Sequence, residues 1–141
     1  MSRIKIAFPE NVSYTATIPI RITDLNYGNH VGNDAVLSII HEARMQFLSH
    51  YGYTELNCGG TGLIMSDVGI EFKKEIYYGD TLSVQIAVIN FTSVGFDLFY
   101  RLLNRENIAV AIAKTGMICY NYELKKIVAV PADVKEKLAA M

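Results

Sequence analysis

The fold is decided by one stretch, DAVLSIIHEARMQFLSHY, which runs from Asp34 to Tyr51. Its apolar residues recur at helical spacing but cover far more than one narrow stripe, which is typical of a helix buried on most sides. These residues are Ala35, Val36, Leu37, Ile39, Ile40, Ala43, Phe47 and Leu48. Asn33 suits the side-chain N-cap, Asp34 suits the positive helix start, and Gly52 stands where a left-handed stop residue is expected. The stretch therefore predicts a long, largely buried central helix.

The residues before this helix alternate as in a strand. Two sets are expected to face opposite sides: Ala16, Ile18, Ile20 and Ile22 on one, and Thr15, Thr17, Arg21 and Thr23 on the other. Pro19 lies inside the strand and cannot donate a ladder hydrogen bond. We therefore expect this strand at a sheet edge, or interrupted at Pro19.

The residues after the helix predict further strands. The predicted strands are Leu63 to Lys73, Thr81 to Phe91, Gly95 to Asn104 and Ile108 to Tyr122, with a hairpin turn at Asn104 to Asn107, a short pairing at Lys125 to Val130 and a small terminal helix at Asp133 to Ala140. One strand, one apolar helix and a run of hairpin-connected strands favour an α+β fold, with an antiparallel five- or six-stranded sheet wrapped around one long helix. We expect residues 1–141 to form a single domain.

The composition argues against several classes of function. The formal net charge is -1 and no run of Lys or Arg forms a basic stripe, so we expect no nucleic-acid partner. Met1 to Asn11 lacks the apolar stretch of a signal peptide, and no later run approaches the roughly 20 apolar residues of a membrane span. We therefore expect a cytoplasmic protein with no membrane contact. Cys58 and Cys119 lack a CxxC or His-rich setting and are expected to be buried reduced thiols, with no metal or redox cofactor implied.

Groups that can catalyse concentrate in RITDLNYGNHVGN, from Arg21 to Asn33. This segment lies between the first strand and the helix. A helix start presents unpaired backbone N–H groups and a partial positive charge, which a developing oxyanion needs when a carbonyl is attacked. The N–H of Asn33 or of its neighbours is therefore a candidate oxyanion donor. Gly28 and Gly32 let the backbone approach a ligand without a Cβ in the way.

This segment, followed by Glu42-Ala43-Arg44, resembles the signature of the 4-hydroxybenzoyl-CoA thioesterase family of hotdog-fold proteins. That signature runs roughly R-x-x-D-x-D-x-x-G-H-V-x-N before a helix with E-A-R. Three later features also match: the strand ending Ile70-Glu71-Phe72, the turn Tyr78-Gly79-Asp80 and the ending Val130-Pro131. The resemblance spans nearly the whole chain. It implies a hotdog fold, a homodimer or homotetramer with sites at the subunit interface, and hydrolysis of an acyl thioester.

In that family the second Asp of the D-x-D pair acts as nucleophile or general base, and this chain has Asn26 at the corresponding position. An Asn can hold a carbonyl or orient water but cannot accept the proton. His30 is the first candidate for the base, because histidine changes charge near neutral pH, and Asp24 is the second. The resulting hypothesis is that Asn26 and the Asn33 N–H hold the thioester. In this hypothesis His30 activates water, and Asp24 is the candidate that orients His30.

The substrate contacts are expected in two places. Tyr27, Gly28 and Gly32 belong to the proposed loop, and in the family residues such as Met65, Ser66 and Asp67 line the acyl pocket. The last three could equally be ordinary sheet residues.

Structural roles compete with the catalytic ones at several positions. Asp24 could cap the turn after the first strand by accepting backbone N–H bonds, and His30 could be a packed, hydrogen-bonded histidine. Glu42 and Arg44 are more often a structural ion pair than catalysts.

Two other functions compete with acyl-CoA hydrolysis. Asp24, Asn26 and His30 are similar to the D-x-N-P-x-H motif of hotdog enoyl-CoA hydratases, although the spacing differs and the Pro is missing. Asn26 could also mark a non-hydrolytic protein that binds an acyl-CoA or an acyl carrier protein. The sequence leaves open the acyl group, which can be fatty or aromatic, and the choice between dimer and tetramer.

Overall fold

The computed structural model describes residues 3–139, so the Ala140 end of the predicted terminal helix lies outside the description. Its elements are β1 (Tyr14–Pro19), a 3-10 turn (Ile22–Asp24), α1 (Asn33–His50), β2 (Gly62–Phe72), β3 (Thr81–Ile89), β4 (Gly95–Leu103), β5 (Ala109–Asn121), β6 (Lys126–Ile127) and α2 (Ala132–Ala139). No helix within residues 3–139 is long and apolar enough to cross a membrane.

The strands form one antiparallel sheet in the order β1-β3-β4-β5-β2, with β6 paired to β5. The buried side chains of α1 join those of the strands in one hydrophobic core. The predicted α+β fold, an antiparallel sheet packed on one long central helix, is therefore confirmed.

The prediction that the later strands follow one another as hairpins is wrong at one connection. β3, β4 and β5 are joined by hairpins, but β2 pairs with β5 at one edge of the sheet, while β3 lies beside β1 near the other. One side of β5 bonds to β4 and the other to β2, which leaves β2 no place next to β3. Residues 73–80 must therefore cross the end of the sheet.

The central helix is buried as predicted. Its least exposed side chains, all at 0%, are Ile40, Ala43, Phe47 and Leu48. Gly52 has a φ of +82° and forms the predicted left-handed stop. The start of the helix differs from the prediction, because Gly32 is the N-cap, no side chain caps it, and Asn33 is already helical.

The first strand is an edge strand that ends at Pro19, as its proline predicted. Ile18 and Ile20 are buried, but Ile22 is 67% exposed. The placement of Ile22 on the buried face is wrong, because the chain leaves the extended conformation after Arg21 and enters the 3-10 turn.

A polar cluster crosses the core beneath α1. Arg44 is 5% exposed, and its guanidinium donates to Glu55 Oε2 at 3.0 Å and to the Tyr100 hydroxyl at 3.2 Å. The Tyr100 hydroxyl also bonds to Thr115 Oγ1 at 2.7 Å. Burial disfavours the charge of Glu55, but hydrogen bonds and charge from His41 and Arg44 outweigh burial and lower the pKa of Glu55.

The expected pairing of Glu42 with Arg44 is not formed. Glu42 instead accepts a hydrogen bond from Gln46 Nε2 at 2.9 Å, one turn further along the exposed face of α1. Arg44 takes its partner from the link after the helix, because the guanidinium points into the core and Glu42 does not.

Both cysteines are buried free thiols, as predicted. Burial raises the pKa of Cys58 to about 12 and also raises the pKa of Cys119. The two thiols therefore stay protonated near neutral pH and are poor nucleophiles.

Candidate active site

The loop between the 3-10 turn and α1 folds back on itself. The Asn26 N–H donates to the His30 carbonyl at 2.9 Å, and the Asn29 N–H donates to the Asn26 carbonyl at 3.2 Å. Asn29 has a φ of 64°, a left-handed conformation that Asn tolerates, and Leu25 pairs with Val31 across the loop. Asn26 and His30 are thus held side by side.

This loop is bound to residues 73–80. The Val31 N–H donates to the Ile76 carbonyl at 2.8 Å, and His30 forms an antiparallel bridge with Tyr77. The crossing segment between β2 and β3 therefore forms part of the surroundings of His30.

Gly28 separates two polar side chains. The Asn26 Oδ1 accepts the Gly28 N–H at 2.8 Å. A Cβ added at Gly28 would lie 3.2 Å from Asn26 Oδ1 and 3.3 Å from His30 Nε2. Both atoms therefore face the same small volume, which the glycine leaves open.

His30 has an acidic neighbour on the crossing segment. Its Nε2 lies 3.9 Å from Glu75 Oε1, and its Nδ1 lies 3.4 Å from the Val31 carbonyl. A proton on Nδ1, directed at that carbonyl, would leave Nε2 free to act as a base. The Tyr77 hydroxyl donates to the other oxygen of Glu75, and this bond, together with the charge of Glu75, raises the pKa of Tyr77.

The start of α1 lies next in the chain. Asn33 is the first helical residue, and within residues 3–139 neither its N–H nor that of Asp34 donates a backbone hydrogen bond. Such N–H groups can receive an oxygen that gains negative charge. The geometry therefore suits the oxyanion role that the sequence suggests for Asn33.

A cavity of about 330 Å³ opens beside His30 and the helix start. Its lining is partly apolar and partly polar. The apolar residues are Val31, Val36, Phe72 and Ile76, and the polar residues are His30, Asn33, Lys73, Lys74 and Glu75. A concave, partly apolar space with a few converging polar groups is the usual form of a small-molecule site.

Asp24 lies away from these groups. It is 6% exposed, its Oδ2 accepts the Arg21 N–H at 2.8 Å, and its Oδ1 lies 3.4 Å from the Arg21 guanidinium. It borders a different cavity of about 210 Å³ between β1 and α1. Within residues 3–139 no hydrogen bond joins Asp24 to His30, so Asp24 does not orient the imidazole, and the turn-capping alternative describes its contacts.

The proposed substrate-binding residues of β2 lie in another part of the molecule. The pairing of β2 with β5 is irregular between Met65 and Asp67. Ser66 and Asp67 border a cavity that His30 does not line. Asp67 is bonded to Lys114 Nζ at 2.9 Å, and this bond lowers the pKa of Asp67. Within one chain these three residues do not meet the loop.

The predicted substrate-binding residues of the loop differ in their surroundings. Tyr27 is fully exposed at 104% and points away from the core. Gly28 faces Asn26 and His30, and Gly32 lies between Asn26 and the first turn of α1. Of the predicted site residues, the structure therefore brings together Asn26, Gly28, His30, Gly32 and Asn33.

Two neighbours of His30 are missing from the sequence-based set. Glu75 and Tyr77 lie in KKEIYYGD, a polar stretch at the end of a predicted strand. Nothing in its spacing links this stretch to the distant loop. The single available signal is the resemblance at Tyr78-Gly79-Asp80, which marks the neighbourhood but not the glutamate.

Comparisons with known proteins agree with this architecture. A 1,4-dihydroxy-2-naphthoyl-CoA thioesterase from Synechocystis superposes with a TM-score of 0.82 and 20% identity, covering 91% of this chain and 96% of that one. A DHNA-CoA thioesterase from Staphylococcus aureus gives 0.79 and 16%, covering 89% of each chain. A further S. aureus protein, solved in complex with CoA, gives 0.81 and 16%, covering 96% of this chain and 86% of that one. At these identities the likeness shows a shared fold, the hotdog fold.

No curated protein matches the sequence significantly. The thioesterase-like superfamily does match the sequence, over residues 20–138, which run from just after β1 to α2. It includes the loop, the helix and the whole of the later sheet. The chain therefore belongs to the thioesterase-like superfamily.

Proposed function

We propose that this protein hydrolyses the thioester of a fatty or aromatic acyl-CoA to the free acid and CoA. The observation that carries the proposal is the meeting of His30 Nε2 and Asn26 Oδ1 on either side of Gly28, at 3.3 and 3.2 Å from the position of its absent Cβ. The neighbouring helix start and cavity supply the other requirements, an oxyanion donor and a space for the acyl group. Membership of the thioesterase-like superfamily and the CoA-bound structural neighbour support the ligand class.

The mechanism follows from the groups in place. The Asn26 amide and the N–H of Asn33 hold the thioester, with the carbonyl oxygen at the helix start. Water attacks the carbonyl carbon and loses one proton to His30 Nε2. The C–S bond then breaks, and the CoA thiolate takes that proton from His30, which leaves the free acid and neutral imidazole.

A thiol-release assay tests the proposal. Purified protein is mixed with a panel of aliphatic and aromatic acyl-CoAs, and free CoA thiol is followed with a thiol reagent. We expect release with at least one member of the panel. Saturable acyl-CoA binding without release would make the chain a binding protein, a role that the missing carboxylate at Asn26 favours. If the protein neither binds nor hydrolyses any acyl-CoA of the panel, both functions are refuted.

Glu75 is expected to assist the proposed base. Its carboxylate lies close enough to His30 to stabilise the imidazolium that forms during the reaction, but its side chain is 58% exposed, so water screens the pair. We therefore expect Glu75→Gln to lower kcat by about two- to fivefold with little change in KM.

The control for this measurement is Glu123→Gln, which removes an exposed carboxylate in the turn between β5 and β6. It should leave kcat unchanged. If Glu75→Gln has wild-type kcat, the assisting role is lost; if both variants fall together, the effect comes from net charge alone.

We also propose that the chain forms a homo-oligomer through the free edge of β2. This strand has 11 residues and, among residues 3–139, pairs with another strand on one side only. Its apolar side chains Met65, Val68 and Phe72 are 40%, 41% and 38% exposed. Unpaired edges with apolar side chains readily pair with another strand, and a two-fold partner would bring a second β2 alongside.

A lysine in this edge strand should prevent such pairing. We expect Val68→Lys to shift the protein from dimer or larger to monomer in size-exclusion chromatography with light scattering, because a charge at the edge disfavours strand addition. Thr17→Lys, on the opposite edge strand β1, is the matched control and should keep the wild-type mass. An unchanged mass for Val68→Lys would place the interface elsewhere.

A further inference from the structure

Glu75 and Tyr77 project from the same side of the crossing segment. Both side chains are exposed, whereas Ile76 between them is 3% exposed and belongs to the hydrophobic core. Such alternation is typical of an extended chain, in which residues two positions apart share a face. The Val31 N–H holds the segment in this orientation by donating to the Ile76 carbonyl at 2.8 Å.

The imidazole of His30 lies on this face too. His30 pairs with Tyr77 in an antiparallel bridge, and the side chains of directly paired residues stand side by side, with the residue two positions along as a diagonal neighbour. That diagonal neighbour is Glu75, whose Oε1 lies 3.9 Å from His30 Nε2. One backbone pairing therefore brings an imidazole, a carboxylate and a phenol together.

The carboxylate of Glu75 could face either of two directions. Glu75 borders two cavities, of which His30 lines the first and Tyr77 lines the second. Its side chain is 58% exposed, and an exposed glutamate has several rotamers open to it. The Tyr77 hydroxyl restricts this freedom, because it donates to Glu75 Oε2 at 2.5 Å while Oε1 is the oxygen nearest His30.

The backbone beneath the phenol is fixed by a tight turn. The Tyr77 N–H donates to Asp80 Oδ2 at 2.9 Å, and the Asp80 N–H donates to the Tyr77 carbonyl at 3.1 Å. Gly79 has a φ of +92°, a left-handed conformation that glycine adopts without strain, and so it lets the turn close. Tyr77 is thus held from the turn on one side and from the bridge to His30 on the other.

We propose that Tyr77 is a positioning residue, whose hydroxyl holds Glu75 with its second carboxylate oxygen facing His30; this role rests on the hydrolysis proposed above. When the attacking water gives its proton to His30 Nε2, the imidazolium gains its charge beside a carboxylate that is already oriented. Tyr77 keeps its own proton throughout. It therefore affects turnover only through Glu75.

Tyr77→Phe removes the hydroxyl and keeps the ring. We expect kcat to fall about two- to fivefold with KM little changed, as for Glu75→Gln, because both variants leave the imidazolium without a fixed carboxylate. A protein carrying both substitutions should have the kcat of Glu75→Gln alone, since two residues that act through one contact are not additive. Tyr78→Phe removes the hydroxyl of the neighbouring tyrosine, which is 62% exposed, and should keep wild-type kcat and KM.

A second measurement follows the same hydrogen bond without turnover. The bond to Glu75 and the charge of Glu75 raise the pKa of Tyr77, because both favour the protonated phenol. Glu75→Gln should therefore lower the pKa of Tyr77. NMR of protein with tyrosine isotopically labelled at Cζ measures this pKa, and the signal that Tyr77→Phe lacks assigns it.

Three results would overturn the positioning role and leave the thioesterase function intact. They are a wild-type kcat for Tyr77→Phe, a combined variant whose loss is the product of the two single losses, and a pKa of Tyr77 that Glu75→Gln does not change. A wild-type protein that releases no thiol from any acyl-CoA overturns both proposals. In that case a lowered pKa of Tyr77 in Glu75→Gln would show the bond to be structural only.

Discussion

Replacing His30 by alanine is expected to lower turnover of a suitable acyl-CoA by about a hundredfold or more, the usual cost of losing general-base assistance. The reason is geometric. Of the two side chains that face Gly28, the His30 imidazole can act as a base at Nε2, whereas Asn26 presents an amide, which cannot. The loss should appear in kcat, because the side chain acts on water more than on the acyl group.

His50→Ala provides the matched control. His50 is the last residue of α1, at the opposite end of an 18-residue helix, and stacks against Tyr14 and Tyr51. It should retain wild-type kcat in the same thiol-release assay. A His30→Ala protein that keeps its rate would exclude the proposed base.

Replacing Arg44 by alanine is expected to destabilise the fold by about 3–5 kcal/mol, as for other buried ion pairs that lose one partner. The substitution removes the donor to Glu55 and to the Tyr100 hydroxyl, and leaves the partly buried Glu55 carboxylate with His41 as its remaining side-chain partner. Urea unfolding at neutral pH, followed by circular dichroism, measures the change in the free energy of unfolding.

Glu42→Ala is the control for this prediction, because Glu42 lies on the exposed side of the same helix. A surface change of this kind should alter stability by about 0.5 kcal/mol or less. If Arg44→Ala costs no more than Glu42→Ala, the cluster beneath α1 contributes nothing to stability and Arg44 has another role.

The helix and most strands are predictable because their signals are local. Ile40 and Phe47 show burial on more than one side of α1, and the alternation in β3 and β4 shows which residues face the core. The strand order is not predictable in this way. Residues 73–80 look like any short polar connection, and what sends β3 to the far side of the sheet is the pairing of β2 with β5, which is remote in sequence.

In the candidate site too, the residues that share a local segment are predictable, whereas those brought in by long-range pairing are not. Asn26, His30 and Asn33 share one short segment, so residue types and resemblance find them together. Glu75 reaches His30 through the long-range bridge of His30 with Tyr77, which has no counterpart in the local pattern. Asp24 shows the converse, since its neighbours in sequence suggest catalysis while its side chain turns back to Arg21.

The crossing segment 73–80 also sets where the chain can be altered for practical purposes. Its backbone is attached at several points, including the N–H groups of Lys73 and Lys74 to the Val110 carbonyl and the Asp80 carbonyl to the Ile20 N–H. An inserted peptide, an epitope tag or a fluorophore in this segment would break attachments at both ends. The exposed turn of residues 122–125, stabilised by the nearby Asn121 side chain, is the better position for such a label.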